Sequence, residues 1–308
     1  MKRLAGVGAA TVGALLLNKL LVDRETKPPH ADGGWILELS RGNLHVLEEG
    51  RADAPPLVLL HGFAGSMRWF DRLAPLLTDD WRVIRVDLLG HGGSPSPREG
   101  YELENQARLV AGALESFAVE HAVVVGHSMG GAVGVALAEQ RPELVRALVV
   151  LDEGPDNSFG TTPFLAKLGF VPVVGELIHR LIGDGMVRDG YRDAFAKGFD
   201  LRAGFPDVVR DFRRMTYTSY KASADAEDAY LTATRLDERL SRLASPALVA
   251  FGEQDGFFRA EESARAFESR AATRVEVLRG VGHSPPVEAP DRLAALIREL
   301  AQTSAAVR

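Results

Sequence analysis

Short apolar runs alternate with longer amphipathic stretches along most of this 308-residue chain. The apolar runs, rich in Val, Ile and Leu, predict strands at 35–40, 43–49, 56–61, 82–88, 122–127, 146–152, 247–252 and 274–279. Apolar residues at helical spacing predict helices at 66–78, 104–118, 129–140, 260–270 and 289–302. Because crossover helices join parallel strands, this alternation predicts an α/β fold with a mostly parallel, eight-stranded sheet flanked by helices.

The alternation stops between the sixth and seventh strands, where 154–240 holds helix-like stretches and no convincing strand. We expect a helical cap there, inserted into a core formed by 35–153 and 241–303. Half of the chain's 22 aromatic residues fall in this segment: Phe159, Phe164, Phe170, Phe195, Phe199, Phe205, Phe212, Tyr191, Tyr217, Tyr220 and Tyr230. We expect most of them to pack the cap itself and a minority to line an apolar pocket.

Ser128 lies in the run Gly126-His127-Ser128-Met129-Gly130, directly after the fifth strand and before a helix. A serine at such a junction must turn sharply, and the glycines two positions on either side let the backbone pass without Cβ clashes. Gly-x-Ser-x-Gly in this context predicts a nucleophile elbow that presents the hydroxyl beyond the sheet. Five-residue matches also arise by chance in turns, so the interpretation depends on the remaining residues.

An acid and a base follow Ser128 in the required chain order, each after a predicted strand. Asp255 follows the seventh strand and His283 follows the eighth. An imidazole must take the serine proton during attack, and a carboxylate must hold the imidazole in the correct tautomer. None of the other seven histidines lies beyond the strand that carries the acid. Asp152, at the end of the sixth strand, is the alternative acid.

Two backbone amides are candidates for stabilising the oxyanion of a tetrahedral intermediate. One belongs to Met129, directly after the serine, and the other to Phe63, in the loop after the third strand. We expect the neighbouring His61-Gly62 to form a tight turn with a solvated imidazole.

Five motifs in this order make the chain similar to the α/β-hydrolase superfamily, and specifically to its cap-domain serine hydrolases of the esterase and lipase type. They are His61-Gly62-Phe63, Asp87-Leu88-Leu89-Gly90-His91-Gly92-Gly93-Ser94, Gly126-His127-Ser128-Met129-Gly130-Gly131, Gly252-Glu253-Gln254-Asp255 and Gly282-His283. The resemblance runs from about Trp35 to Ala301. It implies Ser128, Asp255 and His283 as a catalytic triad with Phe63 and Met129 as oxyanion donors, as the residues themselves suggest. It does not name a substrate.

Composition removes several classes of function. The net charge of −6, with acidic and basic residues interleaved, predicts no nucleic-acid partner. The chain has no cysteine and its histidines lack metal-ligand spacing, so we expect no thiol chemistry, no metal and no cofactor. The sequence leaves the oligomeric state open.

The first 27 residues form a separate hydrophobic segment: Lys2-Arg3 precede an uncharged run from Leu4 to Leu17, and Lys19 interrupts its continuation to Val22. Three interpretations remain open: an uncleaved membrane anchor through residues 1–22, a secretory signal, and a helix that docks on the fold or on another subunit. We expect membrane association through this segment, with cytoplasmic and secreted locations as the alternatives.

The function expected from these features is hydrolysis of a carboxylic ester of an apolar acyl or aryl substrate through an acyl-enzyme on Ser128. The alternatives are a carbon–carbon bond hydrolase and a cofactor-free haloperoxidase or perhydrolase. An alternative of another class is a receptor-like protein that binds a ligand under the cap with slow turnover.

Overall fold

The computed structural model of the chain describes residues 13, 15, 17–161, 166–201, 207–268 and 273–305. Within these ranges eight strands form one sheet in the order β1-β2-β4-β3-β5-β6-β7-β8. The strands are β1 (Trp35–Leu39), β2 (Gly42–Glu49), β3 (Pro56–Leu60), β4 (Arg82–Asp87), β5 (Ala122–His127), β6 (Val145–Leu151), β7 (Ala247–Gly252) and β8 (Thr273–Leu278). This confirms the predicted eight-stranded sheet.

The sheet is antiparallel only at one side. β2 runs antiparallel to both β1 and β4, whereas β4, β3, β5, β6, β7 and β8 are parallel to one another. The carboxyl ends of these six strands therefore lie along one edge, where open α/β sheets carry their sites.

Helices connect the parallel strands and fill the interval between β6 and β7. The α-helices of the described ranges are α1 (Leu103–Ser116), α2 (Met129–Gln140), α3 (Val174–Leu181), α4 (Asp184–Gly190), α5 (Val208–Arg214), α6 (Tyr217–Ala233), α7 (Leu236–Ser241), α8 (Ala260–Glu268), α9 (Pro285–Glu288) and α10 (Pro290–Ala305). Helices α3 to α7 lie between β6 and β7, in the region expected to form the cap. Two of its aromatic residues, Phe164 and Phe205, lie outside the described residues.

The helix predicted at 66–78 is wrong. Two short 3₁₀ helices, Met67–Phe70 and Ala74–Leu76, stand there instead. The amide of Met67 donates to the carboxylate of Asp87 at 2.6 Å, which ties the start of the segment to the end of β4. Pro75 lacks an N–H and its ring excludes a carbonyl one turn earlier, so a continuous α-helix cannot form.

The core lies on both faces of the sheet. Along β3, Val58 and Leu60 join a buried cluster that includes residues of α1 and α2, whereas Leu57 and Leu59 join a second cluster with residues of α10. This follows from the alternation of side chains along a strand, with both faces covered by helices. The rigid, doubly covered sheet fixes the strand ends that carry the candidate site.

The described part of the N-terminal segment is helical at 17–22. It packs on α3 through polar contacts: Arg180 donates to the Asn18 side chain at 2.7 Å, and Lys19 forms an ion pair of 3.6 Å with Glu176. Among the residues described, none of the helices has both the length and the apolar character that crossing a bilayer requires. Most of residues 1–22, on which the expected anchor falls, lie outside the described ranges.

Candidate active site

Ser128 sits at a strained turn between β5 and α2. Its φ is +51°, a conformation that costs a non-glycine residue about 1–3 kcal/mol. The Ser128 amide donates to the carbonyl of Leu151 at 2.7 Å, which fixes the turn to the end of β6. A Cβ on Gly126 would clash with the backbone of Gly130, so the approach of strand to helix requires glycine. Ser128 is half-buried, whereas its neighbours on both sides, His127 and Met129, are buried.

His283 and Asp255 are hydrogen-bonded to one another. Nδ1 of His283 lies 2.9 Å from Oδ2 of Asp255. The other carboxylate oxygen accepts from the amides of Phe257 at 2.7 Å and Phe258 at 3.1 Å. Because an ionised carboxylate can only accept, Nδ1 carries the ring proton and Nε2 is left as the basic nitrogen. This is the tautomer that a general base for a serine hydroxyl requires.

His127, the residue before Ser128, ties the serine turn to the histidine loop. Its Nε2 donates to the backbone carbonyl of His283 at 2.6 Å, and the two rings lie 4.9 Å apart. Burial, and secondarily the charge of His283, lower the pKa of His127 to about 3, so its ring is neutral at physiological pH. His127 therefore acts as a fixed donor that holds the loop after β8 against the end of β5.

Asp152, the alternative acid, stands beside this pair. One of its oxygens accepts from the amide of Gly252 at 2.7 Å, and the side chain is fully buried. One carboxylate oxygen of Asp152, one of Asp255 and one ring nitrogen of His283 all lie within 4.8 Å of one another. The direct partner of the His283 ring is Asp255, as the sequence order predicts.

The loop after β3 approaches Ser128 closely at Gly62. A Cβ at Gly62 would lie 3.0 Å from the Cβ of Ser128. The expectation of a solvated His61 is wrong, because this ring is completely buried. Nε2 of His61 accepts from the amide of Leu88 at 3.0 Å, and Nδ1 donates to the carbonyl of Gly62 at 2.8 Å. Burial lowers the pKa of His61, so the neutral ring holds the shape of the loop.

The amides of Phe63 and Met129, the expected oxyanion donors, belong to the loop after β3 and to the first residue of α2. Met129 begins α2, where the first amides of a helix have no partner within the helix. Phe63 directly follows Gly62 in the loop that packs on Ser128. Both amides are without a protein acceptor among the described residues.

A buried network around Asp87 supports this loop, and the sequence reasoning missed it. The Asp87 carboxylate accepts from Nδ1 of His45 at 2.7 Å and from the amides of Gly93 at 2.7 Å and Met67 at 2.6 Å. Nε2 of His45 lies 2.5 Å from the carbonyl of Gly33. Burial opposes the charged ring, but the bond to Asp87 and its charge outweigh burial and raise the pKa of His45. Both ring nitrogens donate, so His45 is an imidazolium paired with Asp87.

A second missed residue, Asp211 on α5, connects the segment between β6 and β7 to the serine site. Its Oδ2 accepts from the hydroxyl of Ser66 and from the indole of Trp69, each at 3.1 Å. The Trp69 ring stacks on His127 with 5.6 Å between centroids. No sequence motif marks Asp211, because its partners lie about 140 residues earlier in the chain.

Aromatic side chains surround the site on two sides. Phe63 contacts Tyr220 on α6 with 4.8 Å between ring centroids, and Tyr220 stacks on Phe170 at 5.2 Å. Phe257 and Phe258 lie 5.0 and 5.9 Å from the His283 ring. Aromatic rings therefore lie next to the loop after β3 and next to the histidine, which also has the carboxyls of Asp152 and Asp255 beside it.

A cavity of about 510 Å³ lies within the interval between β6 and β7. Its lining includes Arg188, Phe195, Phe199 and Leu201, and none of Ser128, Asp255 and His283. We therefore do not assign the chemistry to this cavity.

A parallel sheet with a serine turn after β5 and an acid and a histidine after β7 and β8 defines the class of protein. The chain belongs to the α/β-hydrolase fold family, whose model matches residues 55–290. It is 31% identical over 254 residues to the uncharacterized hydrolase YugF of Bacillus subtilis, covering 76% of this chain and 85% of that protein. It is 28% identical over 282 residues to 2-hydroxymuconate semialdehyde hydrolase of a Pseudomonas species, covering 86% of this chain and 92% of that protein.

Among solved structures, the enol-lactonase of Burkholderia xenovorans superposes with a TM-score of 0.73 and 20% identity, covering 87% of this chain and 100% of that one. At this identity the likeness concerns the fold alone. Together with the family match, the relatives establish a hydrolase of the α/β-hydrolase fold.

Proposed function

We propose that the chain is a serine hydrolase that cleaves carboxylic esters with an apolar acyl or aryl part. The observation that carries the proposal is the hydrogen bond of 2.9 Å between His283 and Asp255, in a loop tied by His127 to the strained turn of Ser128. A serine, a correctly tautomerised imidazole and an ionised acid are the parts that acyl transfer needs.

In this mechanism Ser128 Oγ attacks the ester carbonyl while Nε2 of His283 takes its proton. The amides of Phe63 and Met129 donate to the oxyanion, each contributing about 3 kcal/mol of transition-state stabilisation. His283 then returns the proton to the departing alcohol and an acyl-enzyme remains. Water, deprotonated by His283, releases the carboxylic acid and regenerates Ser128.

The apolar preference rests on the rings around the site. One continuous aromatic surface begins in the loop after β3 and consists of Phe63, Tyr220 and Phe170. The rings of Phe257 and Phe258 lie next to the base, His283. An apolar acyl chain or aryl ring buries surface against them and gains about 25 cal/mol per Å². We assign no acyl length.

Steady-state hydrolysis of p-nitrophenyl esters from acetate to palmitate tests the proposal. We expect turnover that Ser128→Ala abolishes and that His283→Gln lowers by about 10³-fold or more. The control is His121→Gln, which changes an exposed histidine outside the site. Binding of esters with a single-turnover burst and no steady state would favour the receptor-like alternative.

Carbon–carbon bond hydrolysis is the second candidate, because 2-hydroxymuconate semialdehyde hydrolase resembles the chain over nearly its whole length. Carbon–carbon bond hydrolases of this fold usually carry Trp after the catalytic histidine, whereas Ser284 stands there in this chain, which supports the ester. Ser284 is fully buried and its hydroxyl donates to the carbonyl of Ala194 at 2.9 Å, so it supports the loop and does not extend into the site. Assay of a 2-hydroxy-6-oxo-dienoate beside the ester series separates the two. A kcat/KM for the dienoate above that for every ester would overturn the ester assignment.

We also propose that the N-terminal segment and the neighbouring helices attach the protein to a membrane surface without spanning it. Of the eight large apolar side chains that are exposed in the described ranges, seven belong to residues 17–21 or 171–186: Leu17, Leu20, Leu21, Val171, Val174, Leu181 and Met186. The 17–22 helix directs Asn18 and Lys19 toward α3, while its leucines are more than half exposed. An apolar face left in water is typical of an interaction surface.

Co-sedimentation of the full chain with phosphatidylcholine–phosphatidylglycerol vesicles tests the attachment. The triple change Leu17→Glu, Leu20→Glu and Leu21→Glu is expected to reduce the bound fraction several-fold. Trp35→Glu is the matched control, since Trp35 is exposed and apolar but lies outside this surface. Equal binding by wild type and the triple variant, or a concentration-dependent dimer that the triple variant loses, would contradict the proposal.

A further inference from the structure

Asp152 is a buried carboxyl that the proposed mechanism does not use. It follows the last residue of β6, and its amide donates to the carbonyl of Ala250 on β7 at 2.8 Å. Its φ is +49°, in the left-handed region, and none of its surface is exposed. The backbone therefore holds this side chain in a strained position at the strand ends that also carry Asp255.

The two oxygens of Asp152 have unequal surroundings. Oδ1 accepts from the amide of Gly252 at 2.7 Å. Oδ2 is shielded from solvent and no donor of the described ranges bonds to it. A charged oxygen in this situation would lose its hydration without compensation. A proton on Oδ2 removes the charge and gives that oxygen a hydrogen bond to donate.

Asp255 is the carboxyl beside Asp152, and a side-chain hydrogen bond with Asp255 is, after burial, among the causes that raise the pKa of Asp152. One oxygen of each carboxyl and one ring nitrogen of His283 lie within 4.8 Å of one another. Two carboxylates this close and this buried do not both ionise. Asp255 already accepts from two amides and from His283, so the charge belongs there. Burial, and then the charge of Asp255, raise the pKa of Asp152 well above its ordinary value.

We propose that Asp152 is a positioning residue: its protonated carboxyl donates from Oδ2 to the Asp255 carboxylate and holds that carboxylate toward His283. The proposal rests on the assignment of Asp255 and His283 as acid and base in the proposed function. The titratable groups that face Asp152 are Asp255, His283 and, with a smaller effect, Glu288. The Asp255–His283 pair also faces the buried Glu153, Glu227 and His127, which the Asp152 variants leave unchanged. No proton leaves Asp152 during turnover, so its carboxyl acts as a neutral donor throughout.

An asparagine amide can replace a neutral, hydrogen-bond-donating carboxyl but cannot replace a charged carboxylate. Asp152→Asn therefore distinguishes a protonated Asp152 from an ionised one. Asp152→Asn is expected to restore most of the kcat/KM that Asp152→Ala loses, the alanine variant falling by about tenfold or more. The acid limb of the pH profile should stay in place in Asp152→Asn. In Asp152→Ala it should move to higher pH, because an Asp255 carboxylate without its donor stabilises the imidazolium more strongly.

An ionised Asp152 gives the opposite result. Removing a negative charge within 4.8 Å of the His283 ring would move the acid limb of Asp152→Asn to lower pH by about one unit or more. That shift, or a kcat/KM for Asp152→Asn as low as that of Asp152→Ala, would overturn the proposal. Full activity in Asp152→Ala would also overturn it.

A titration that does not depend on turnover keeps this test separate from the proposed function. The NMR signals of ¹³C-labelled histidine, with His283 assigned through His283→Gln, give the ring pKa in wild type and in both Asp152 variants. If wild type hydrolyses no ester, the ester assignment fails. The pKa of the His283 ring in wild type, Asp152→Asn and Asp152→Ala still tests the role of Asp152. Circular dichroism and urea unfolding establish that each variant is folded.

Discussion

The carboxyl of Asp211 allows a prediction about stability that can be worked from the structure. It is buried at the contact between α5 and the loop after β3, and its Oδ2 accepts from Ser66 and Trp69. Burial, and then the charge of Asp87, raise the pKa of Asp211 from 3.8 to about 7. Asp211→Asn keeps an oxygen that accepts both hydrogen bonds and removes the charge.

The direction in which stability changes with pH follows from the protons bound by the folded and unfolded states. Between about pH 4 and pH 7 the folded state holds a proton on Asp211 that the unfolded state has released, so stability falls as pH rises through this window. A shift from 3.8 to about 7 corresponds to about 4 kcal/mol above pH 7, as an upper bound. Because the asparagine variant lacks this ionisation, its stability relative to wild type should grow by about 2–3 kcal/mol between pH 5 and pH 8.

Urea unfolding at pH 5, 6, 7 and 8, followed by tryptophan fluorescence, measures this difference directly. Trp69 donates to Asp211, so its emission reports on the contact itself. Asp211→Ala is the control, because it removes the acceptor together with the charge and should leave two donors unpaired at every pH. A difference between Asp211→Asn and wild type that does not change with pH would refute the reasoning.

Three further predictions concern the supports of the site. Gly126→Ala should prevent folding or lower the free energy of unfolding by several kcal/mol, because the added Cβ meets the Gly130 backbone. Gly185→Ala, which has open space at the added Cβ, should change the urea midpoint little. Equal midpoints for the two variants would contradict this. His61→Ala should lower kcat/KM for esters by about ten- to a hundredfold without unfolding the chain, because the loop that carries the Phe63 amide loses its anchor; unchanged kinetics would exclude that role. His45→Gln should lower the free energy of unfolding more at pH 6 than at pH 9. Because the pKa of His45 is raised in the folded state, its stabilisation is complete below pH 6.5 and is lost as pH rises through the pKa of the folded state. A larger loss at pH 9 would exclude the buried imidazolium.

The centre of the sheet could be predicted from the sequence because its strands are nearly continuous apolar runs. In β5 and β6 nearly every residue is buried, and such runs stand out without any knowledge of their partners. Ser128 and Asp255 are predicted in the same way, since each follows such a run. His283 follows β8, which alternates apolar residues with Arg274 and Glu276 and is recognised by that alternation. The position of the site is therefore a property of local sequence combined with the rule that parallel strands end at one edge.

The supports of the site could not be predicted, because their partners are distant in the chain. His61 was expected in solvent, but the amide of Leu88, 27 residues later, fills its Nε2 and buries the ring. Periodicity predicted a helix at 66–78, where Pro75 and the bond from Met67 to Asp87 override it. Asp211 carries no local signal at all, since only the folded chain brings it to Ser66 and Trp69.

Covalent labelling of the purified chain with a fluorophosphonate, read by intact mass and peptide mapping, tests whether Ser128 is the nucleophile. We expect one adduct per chain, on Ser128, that forms quickly in wild type, slowly in His283→Gln and not at all in Ser128→Ala. A folded wild type that takes up no label, or takes it up on another residue, would contradict Ser128 as the nucleophile.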